Sequence, residues 1–247
     1  MNTAVLEVQG LSKSFGALKV IDDFSIRVGP GERRLILGPN GAGKTTLFNL
    51  ITGDLAPNAG SIRFFEKEIS SLRTPRRVAL GLARTFQIVT LFPNDTVLRN
   101  VVLALIGKRP LRWDPLFSLE SRGSLREQAR AVLNQVQLET LADKPLRATS
   151  YGEKRRLELA LALAQNPRLL LLDEPLAGLS AQERVQIQQL IEQIPRTIAI
   201  IMIEHDMSIA LSFAERVSLL QDGRLIIEGT RDEVVAHPRT REVYLGH

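Results

Sequence analysis

The sequence predicts an α/β fold with a parallel sheet at its core, an antiparallel β subdomain at the N-terminus and an inserted helical subdomain. Apolar runs at 35–37, 169–172 and 198–203 are typical of strands that are buried on both faces of a sheet. Alternating apolar and polar residues at 5–8 and 24–28 are typical of half-buried strands. A long stretch of helical patterns then interrupts the alternation of strands and helices, which indicates an insertion.

The length of 247 residues suits one large α/β domain and leaves little room for a second. We therefore expect a single domain over 1–247, whose core and β subdomain comprise about 1–92 and 147–247. The helical subdomain is expected at about 93–146. Its loop containing Trp113 is interpreted either as a partner-binding patch or as local packing.

Helix starts are predicted from short capping patterns. Asp95 is expected to cap a helix, and two stretches, 124–127 and 180–183, match the capping box, in which a Ser and a Glu satisfy each other's backbone amides. Thr230 is expected to cap the last helix. Just before it, Asp222-Gly223 is a two-residue turn typical of a β-hairpin.

Composition narrows the function classes. The formal charge of +5 is compatible with binding to nucleic acid or an anionic membrane, but Lys and Arg are scattered among 27 acidic residues, so nucleic-acid binding is not expected. With zero cysteines there is no disulfide framework or thiolate metal site, which fits the cytoplasm. We see no secretory signal, and no apolar run approaches the roughly 18 residues of a membrane helix. Any membrane role is therefore expected to come through a partner.

A glycine-rich stretch follows the first buried strand and has the P-loop pattern G-x-x-x-x-G-K-[ST]. In that pattern backbone N–H groups wrap phosphates, Lys44 reaches the outer phosphates and Thr45 holds Mg²⁺. The flanking strand and helix make an accidental surface turn an unsatisfactory interpretation. The predicted nucleotide-binding residues are Gly38, Pro39, Asn40, Gly41, Ala42, Gly43, Lys44, Thr45 and Thr46.

Two carboxylates, Asp173 and Glu174, directly follow the leucine strand at 169–172. Ligands of open α/β sheets bind outside the carboxyl ends of the strands. We therefore assign Asp173 to Mg²⁺ and Glu174 to general-base activation of water. His205 follows the strand at 198–203 and is expected at the same edge, where it either donates to a γ-phosphate or serves a structural role.

Three further residues each allow two interpretations. The Phe15 ring either stacks on a purine base or packs as an ordinary apolar side chain. Gln87, at the end of a strand-like stretch, either orients a water or metal ion or is simply solvated. The Ser150 hydroxyl, with the helical amides that follow it, either faces an anion or only caps the helix.

With these stretches in this order, the chain resembles the ATP-binding cassette ATPases over essentially its whole length. The resemblance implies that Phe15 stacks on adenine and that Gln87 lies near Mg²⁺ and the attacking water as a metal and catalytic residue. It implies that Asp173 binds the metal, Glu174 is the catalytic base and Lys44 assists catalysis. The cofactors implied are ATP and Mg²⁺.

The resemblance also implies a dimer, because the signature of one cassette closes over ATP held by the phosphate loop of another. His205 would be the switch histidine, and 177–180 would form the D-loop. The signature residues are Ser150, Tyr151, Gly152 and Glu153.

Within the family the chain is most similar to ATPase subunits of branched-chain-amino-acid or urea-type importers. The similarity lies in Arg84-Thr85-Phe86-Gln87, Leu91-Phe92, Tyr151-Gly152-Glu153 and the stretch 174–179. The implied partners are transmembrane permease subunits, a second cassette that is identical or different, and indirectly a substrate-binding protein. The implied location is peripheral, on the cytoplasmic face of the membrane.

Three departures from the family pattern concern Thr149, Ser180 and Phe15. They stand where leucine, aspartate or asparagine, and tyrosine are usual. The first two leave Ser150 and Gly152 intact but concern the dimer contacts around Ser180, and the third preserves a ring face for stacking. The alternatives are the ATPase of a lipid or polysaccharide exporter and a soluble cassette protein without a transport role. The sequence does not identify the cargo.

Overall fold

The computed structural model describes residues 3–85, 92–107, 119–204 and 211–245. These residues fall into two compact units, which are described separately. The first comprises Met1–Arg84, Arg168–Glu174 and Ile194–His247, and the second comprises Thr85–Pro167 and Pro175–Gln193.

The first unit contains a four-stranded antiparallel sheet in the order β2-β1-β4-β5. The predicted N-terminal strands are present but longer than predicted, because they form one continuous hairpin that turns after Phe15. Gly16 has φ 58°, in the left-handed region that the tight turn requires. The strands are β1 Leu6–Phe15, β2 Leu18–Val28, β4 Ala59–Phe64 and β5 Lys67–Glu68.

A six-stranded sheet in the order β10-β9-β3-β8-β7-β6 completes the strands of this unit. All its pairs are parallel except the hairpin of β9 and β10, which turns at Asp222 (φ 49°) and Gly223 (φ 76°), as the sequence predicted. Every residue of β3, β7 and β8 is buried, which explains their apolar runs. The strands are β3 Arg33–Leu37, β6 Leu82–Arg84, β7 Leu169–Asp173, β8 Ala199–Ile203, β9 Arg216–Gln221 and β10 Arg224–Thr230.

Helix α1, Lys44–Thr52, joins strands of both sheets in one core. Its side chains Leu47, Phe48 and Leu50 are completely buried there, and each contributes about 1.5–3 kcal/mol relative to an exposed position. This packing fixes the start of α1 against the end of β3. The other helices of the unit are α2 Thr74–Leu80, α7 Arg231–Ala236 and α8 Pro238–Leu245.

The described part of the second unit is helical. Its helices are α3 Val97–Gly107, α4 Leu119–Gln135, α5 Tyr151–Ala164 and α6 Ala181–Glu192, with short 3₁₀ turns at Glu139–Leu141 and Leu146–Ala148.

Two predicted helix starts in this unit are wrong. Ser124 lies inside α4, where its hydroxyl accepts a hydrogen bond from the Gln128 side chain at 3.1 Å instead of capping the helix. Before α3, the Thr96 hydroxyl and not Asp95 accepts the bond from the Arg99 N–H, at 3.1 Å. The predicted caps at Ser180 and Thr230 are confirmed, each with a Glu completing the capping box. The helix that Thr230 caps is not the last one, however, because α8 follows it.

Candidate functional site

The glycine-rich loop connects the end of β3 to the start of α1, as the P-loop pattern requires. Gly43 has φ 100°, and a Cβ there would lie only 2.7 Å from the Val20 carbonyl oxygen. Glycine is therefore required at this position. No side chain caps α1. The orphan amides of a first helical turn are suited to binding an anion.

Lys44 is the buried cation of this loop. Its Nζ donates to the carbonyl oxygens of Gly38, at 2.6 Å, and Pro39, at 2.9 Å. Burial lowers the pKa of Lys44, and the charges of Glu174 and Asp173 act in the opposite direction. The ammonium group therefore braces the loop through its carbonyls and interacts electrostatically with both carboxylates.

The two carboxylates lie where β7 ends. Asp173 is 1 % exposed and is the last residue of the strand. Glu174 follows with φ 48°, an uncommon conformation for a non-glycine residue, and its N–H donates to the Ile203 carbonyl at the end of β8, at 2.9 Å. Backbone strain of this kind clusters at functional sites. The turn that bears Glu174 is thus fixed by the neighbouring strand.

The donor set fits a magnesium ion. Thr45, exposed in the first turn of α1, offers a hydroxyl, and Asp173 offers a carboxylate. These are hard oxygen donors, and Mg²⁺ commonly takes one or two such protein ligands while phosphates and waters complete its coordination.

The predicted signature begins α5, where Ser150 is the N-cap. Its hydroxyl accepts from the Glu153 N–H at 3.1 Å, and the Glu153 carboxylate accepts from the Ser150 N–H at 2.6 Å. The Tyr151 ring is 50 % exposed, and its hydroxyl donates to the Ala177 carbonyl at 3.4 Å. The capping interpretation of Ser150 is therefore present in the structure, and anion binding by this serine stays a prediction.

Gly152 lies against a carboxylate that the sequence did not single out. A Cβ at Gly152 would approach the Glu183 carboxylate to under 3.0 Å, so any larger residue at this position would force the Glu183 side chain to move. Glu183 accepts hydrogen bonds from the Gly152 N–H and from the Ser180 N–H and hydroxyl, and these bonds lower its pKa. Its capping box was predictable, but its contact with the signature was not.

Of the remaining predicted residues, the structure describes Phe15 but not the others. Phe15 ends β1 and is 48 % exposed, so its ring is available for stacking and is not a core side chain. Gln87, His205 and the loop with Trp113 lie outside the described residues.

Arg84 is a residue of the site to which sequence reasoning gave no role. Its guanidinium donates to the Asp173 carboxylate at 2.5 Å, at the end of the strand beside β7. The sequence signal was its position three residues before Gln87, at the end of a strand-like stretch.

Comparisons with known proteins place the chain in a family. A family model described as "ABC transporter" matches residues 21–177. The high-affinity branched-chain amino acid transport ATP-binding protein BraF of Pseudomonas aeruginosa is 33 % identical over 100 % of this chain and 99 % of its own. The lipopolysaccharide export system ATP-binding protein LptB of Acidithiobacillus ferridurans is 35 % identical over 98 % and 97 %.

A solved structure agrees with these matches. The crystal structure of the ADP conformation of MJ1267, an ATP-binding cassette of an ABC transporter, superposes with a TM-score of 0.87 at 31 % identity, covering 99 % of each chain. The predicted fold class is thereby confirmed.

Proposed function

Because this chain belongs to the ABC transporter family and is an ATP-hydrolysing cassette of that family, we propose that it energises an importer of branched-chain amino acids, urea or similar small polar solutes. The observation that carries the ATPase part of the proposal is the meeting of the phosphate loop with Asp173 and Glu174 at the carboxyl ends of β3 and β7. The likeness to BraF over the full chain supports the solute class.

We propose a chemical role for each predicted site residue. Lys44 and the loop amides bind the phosphates, Thr45 and Asp173 hold the cation, and Glu174 accepts the proton of the attacking water. A Mg²⁺ ion held by Thr45 and Asp173 would offset the negative charge of the phosphates. Gln87 and His205 are proposed to orient the water and to donate to the γ-phosphate. Phe15 stacks on the base.

A second cassette is proposed to complete each site. The signature turn of one copy, with Ser150 and Gly152 at the start of α5, would meet ATP held by the loop of the other. The partner cassette is an identical or a paralogous chain. No described helix is long and apolar enough to cross a membrane. We propose that permease subunits supply the spans, that a substrate-binding protein delivers the solute, and that this chain sits at the membrane periphery.

An exporter is the second candidate, because the LptB relative is 35 % identical over nearly the whole chain. The nucleotide site would be the same in both cases. Co-purification of the membrane subunits and the direction of transport in vesicles would separate the two candidates.

The test of the ATPase assignment is Glu174→Gln in the transporter reconstituted with its permease. We expect ATP binding to persist while hydrolysis falls ~100-fold or more, since general-base catalysis contributes at least that much. Glu139→Gln, on an exposed surface turn, is the control and should keep the parent rate. Near-parent turnover by Glu174→Gln would show that another group is the base.

A further inference from the structure

Arg84 connects two parts of the proposed catalytic site. It is the last residue of β6, and its side chain is 6 % exposed. Its Nη2 donates to Asp173 Oδ2 at 2.5 Å, and its Nη1 donates to the Asn49 side-chain oxygen at 2.6 Å. One guanidinium therefore bonds both the carboxylate at the end of β7 and the helix that begins with Lys44.

The orientation of this guanidinium is fixed from two more directions. Its central carbon lies 5.5 Å from the centre of the buried Phe48 ring. Nη1 also lies 3.8 Å from Asp54, whose carboxylate accepts from the hydroxyls of Thr52, at 2.6 Å, and Thr74, at 2.8 Å. The Phe48 ring packs against the face of the guanidinium, and hydrogen-bond acceptors lie along its edge. The planar group is therefore held in one orientation.

We propose that Arg84 is a positioning residue for ATP hydrolysis, which sets the orientation of Asp173 relative to the first turn of α1. The inference rests on the proposed role of Asp173 as the magnesium ligand. Asp173 and Thr45 lie on different elements. A cation that binds both requires their oxygens to be held in a fixed position relative to each other. Arg84 supplies that link, since it fixes one oxygen of Asp173 and simultaneously holds α1 through Asn49.

The geometry also explains why arginine is needed. A lysine at position 84 keeps the positive charge but offers a single nitrogen, which cannot hold two acceptors at fixed angles. Arg84→Lys therefore separates orientation from charge. Asn49→Ala breaks only the link to α1 and leaves the Arg84 bond to Asp173 in place.

The experiment measures binding of a fluorescent ATP analogue to the purified chain as a function of Mn²⁺ concentration, with a second titration in EDTA. For Arg84→Lys we expect the Mn²⁺ concentration giving half-maximal enhancement to rise ~10-fold, the usual effect of losing a residue that orients a metal ligand. Binding in EDTA should change less than about twofold. Asn49→Ala should move the Mn²⁺ dependence in the same direction by a smaller factor.

Arg77→Met is the matched control. Arg77 is also a buried arginine that braces α1, but it donates to the carbonyls of Leu50 and Ile51 at the other end of the helix, at 2.7 and 2.8 Å. Its loss should lower the melting temperature without changing the Mn²⁺ dependence. If Arg77→Met shifts the Mn²⁺ dependence as much as Arg84→Lys does, bracing of α1 explains both and the positioning role is wrong.

Asp173→Asn separates this inference from the function on which it rests. If Asp173→Asn weakens Mn²⁺ enhancement but Arg84→Lys leaves it within twofold of the parent, the positioning role fails and the metal assignment stands. If Asp173→Asn has no effect on Mn²⁺ enhancement, Asp173 is not the metal ligand and both assignments fail.

Discussion

Helices α1 and α5 both begin at a predicted phosphate contact, yet their first turns are built differently. No side chain caps α1, which starts after Gly43 in the left-handed region. The start of α5 is closed by its own capping box of Ser150 and Glu153. The first amides of α1 are therefore available to a ligand. At the start of α5 an anion must instead replace the hydrogen bonds of the capping box.

Charge sharpens the difference. The first turn of α1 has no acidic residue and carries Lys44. The first turn of α5 includes Glu153, and its Gly152 N–H donates to the Glu183 carboxylate. A negative side chain at a helix N-terminus stabilises the helix, but it repels a second anion that would bind there. We therefore expect α1 to bind nucleotide in a single chain and α5 to engage it only in an assembled dimer.

The largest expected effect comes from removing the cation of α1. Lys44→Met loses a charge-assisted phosphate contact and the brace on the loop carbonyls, and we expect ATP affinity of the isolated chain to fall ~100-fold. Lys154→Met, on α5, should leave that affinity unchanged. Isothermal titration of both variants makes the comparison, and equal losses would show that the two helix starts are not specialised as described.

The next effect concerns Gly152. Gly152→Ala places a methyl group against the Glu183 carboxylate, so we expect ATPase activity of the assembled transporter to fall ~10-fold, with nucleotide binding by the single chain unaffected. Gly123→Ala in α4 is the control, since nothing lies within 4 Å of its added Cβ. It should gain about 0.5–1 kcal/mol of unfolding free energy. Glu183→Ala added to Gly152→Ala should restore activity, and failure to do so would remove Glu183 from the explanation.

Sequence patterns predicted the parts of the site that are contiguous. The phosphate loop and the pair Asp173-Glu174 each lie in one stretch whose flanking strand is itself recognisable. The bond of Arg84 to Asp173 joins residues 89 positions apart, and only the pairing of β6 with β7 brings them together. Ser124 was misassigned because a Ser followed three residues later by a Glu looks the same inside a helix as at its start.

A smaller effect is expected when the charge of Glu183 alone is removed. Glu183→Gln keeps an acceptor for its bonds but deletes the negative charge beside the start of α5. In a Glu174→Gln background, where hydrolysis is blocked, we expect the ATP concentration for half-maximal dimerisation to fall ~3-fold. Glu233→Gln alters the equivalent capping box of α7 and should have no effect. Sedimentation velocity across an ATP series measures both, and an unchanged or raised requirement would contradict the repulsion inferred here.

The smallest expected effect lies farther along α5 and concerns pH. Burial raises the pKa of Glu158 from 4.5 to about 7, although the Arg155 guanidinium, 2.9 Å away, opposes the change. A carboxyl with a raised folded-state pKa contributes stability below its ordinary pKa, and that contribution is lost as pH rises through the folded value. The melting temperature should therefore fall as pH increases from about 4.5 to about 7, and Glu158→Gln should reduce this fall by roughly 2–4 °C. Calorimetry across that range tests it, with Glu139→Gln expected to keep the parent slope. A Glu158→Gln profile parallel to the parent would contradict the raised pKa. It would mean that α5 holds a charged Glu158 without loss of stability, as α1 holds a charged Lys44.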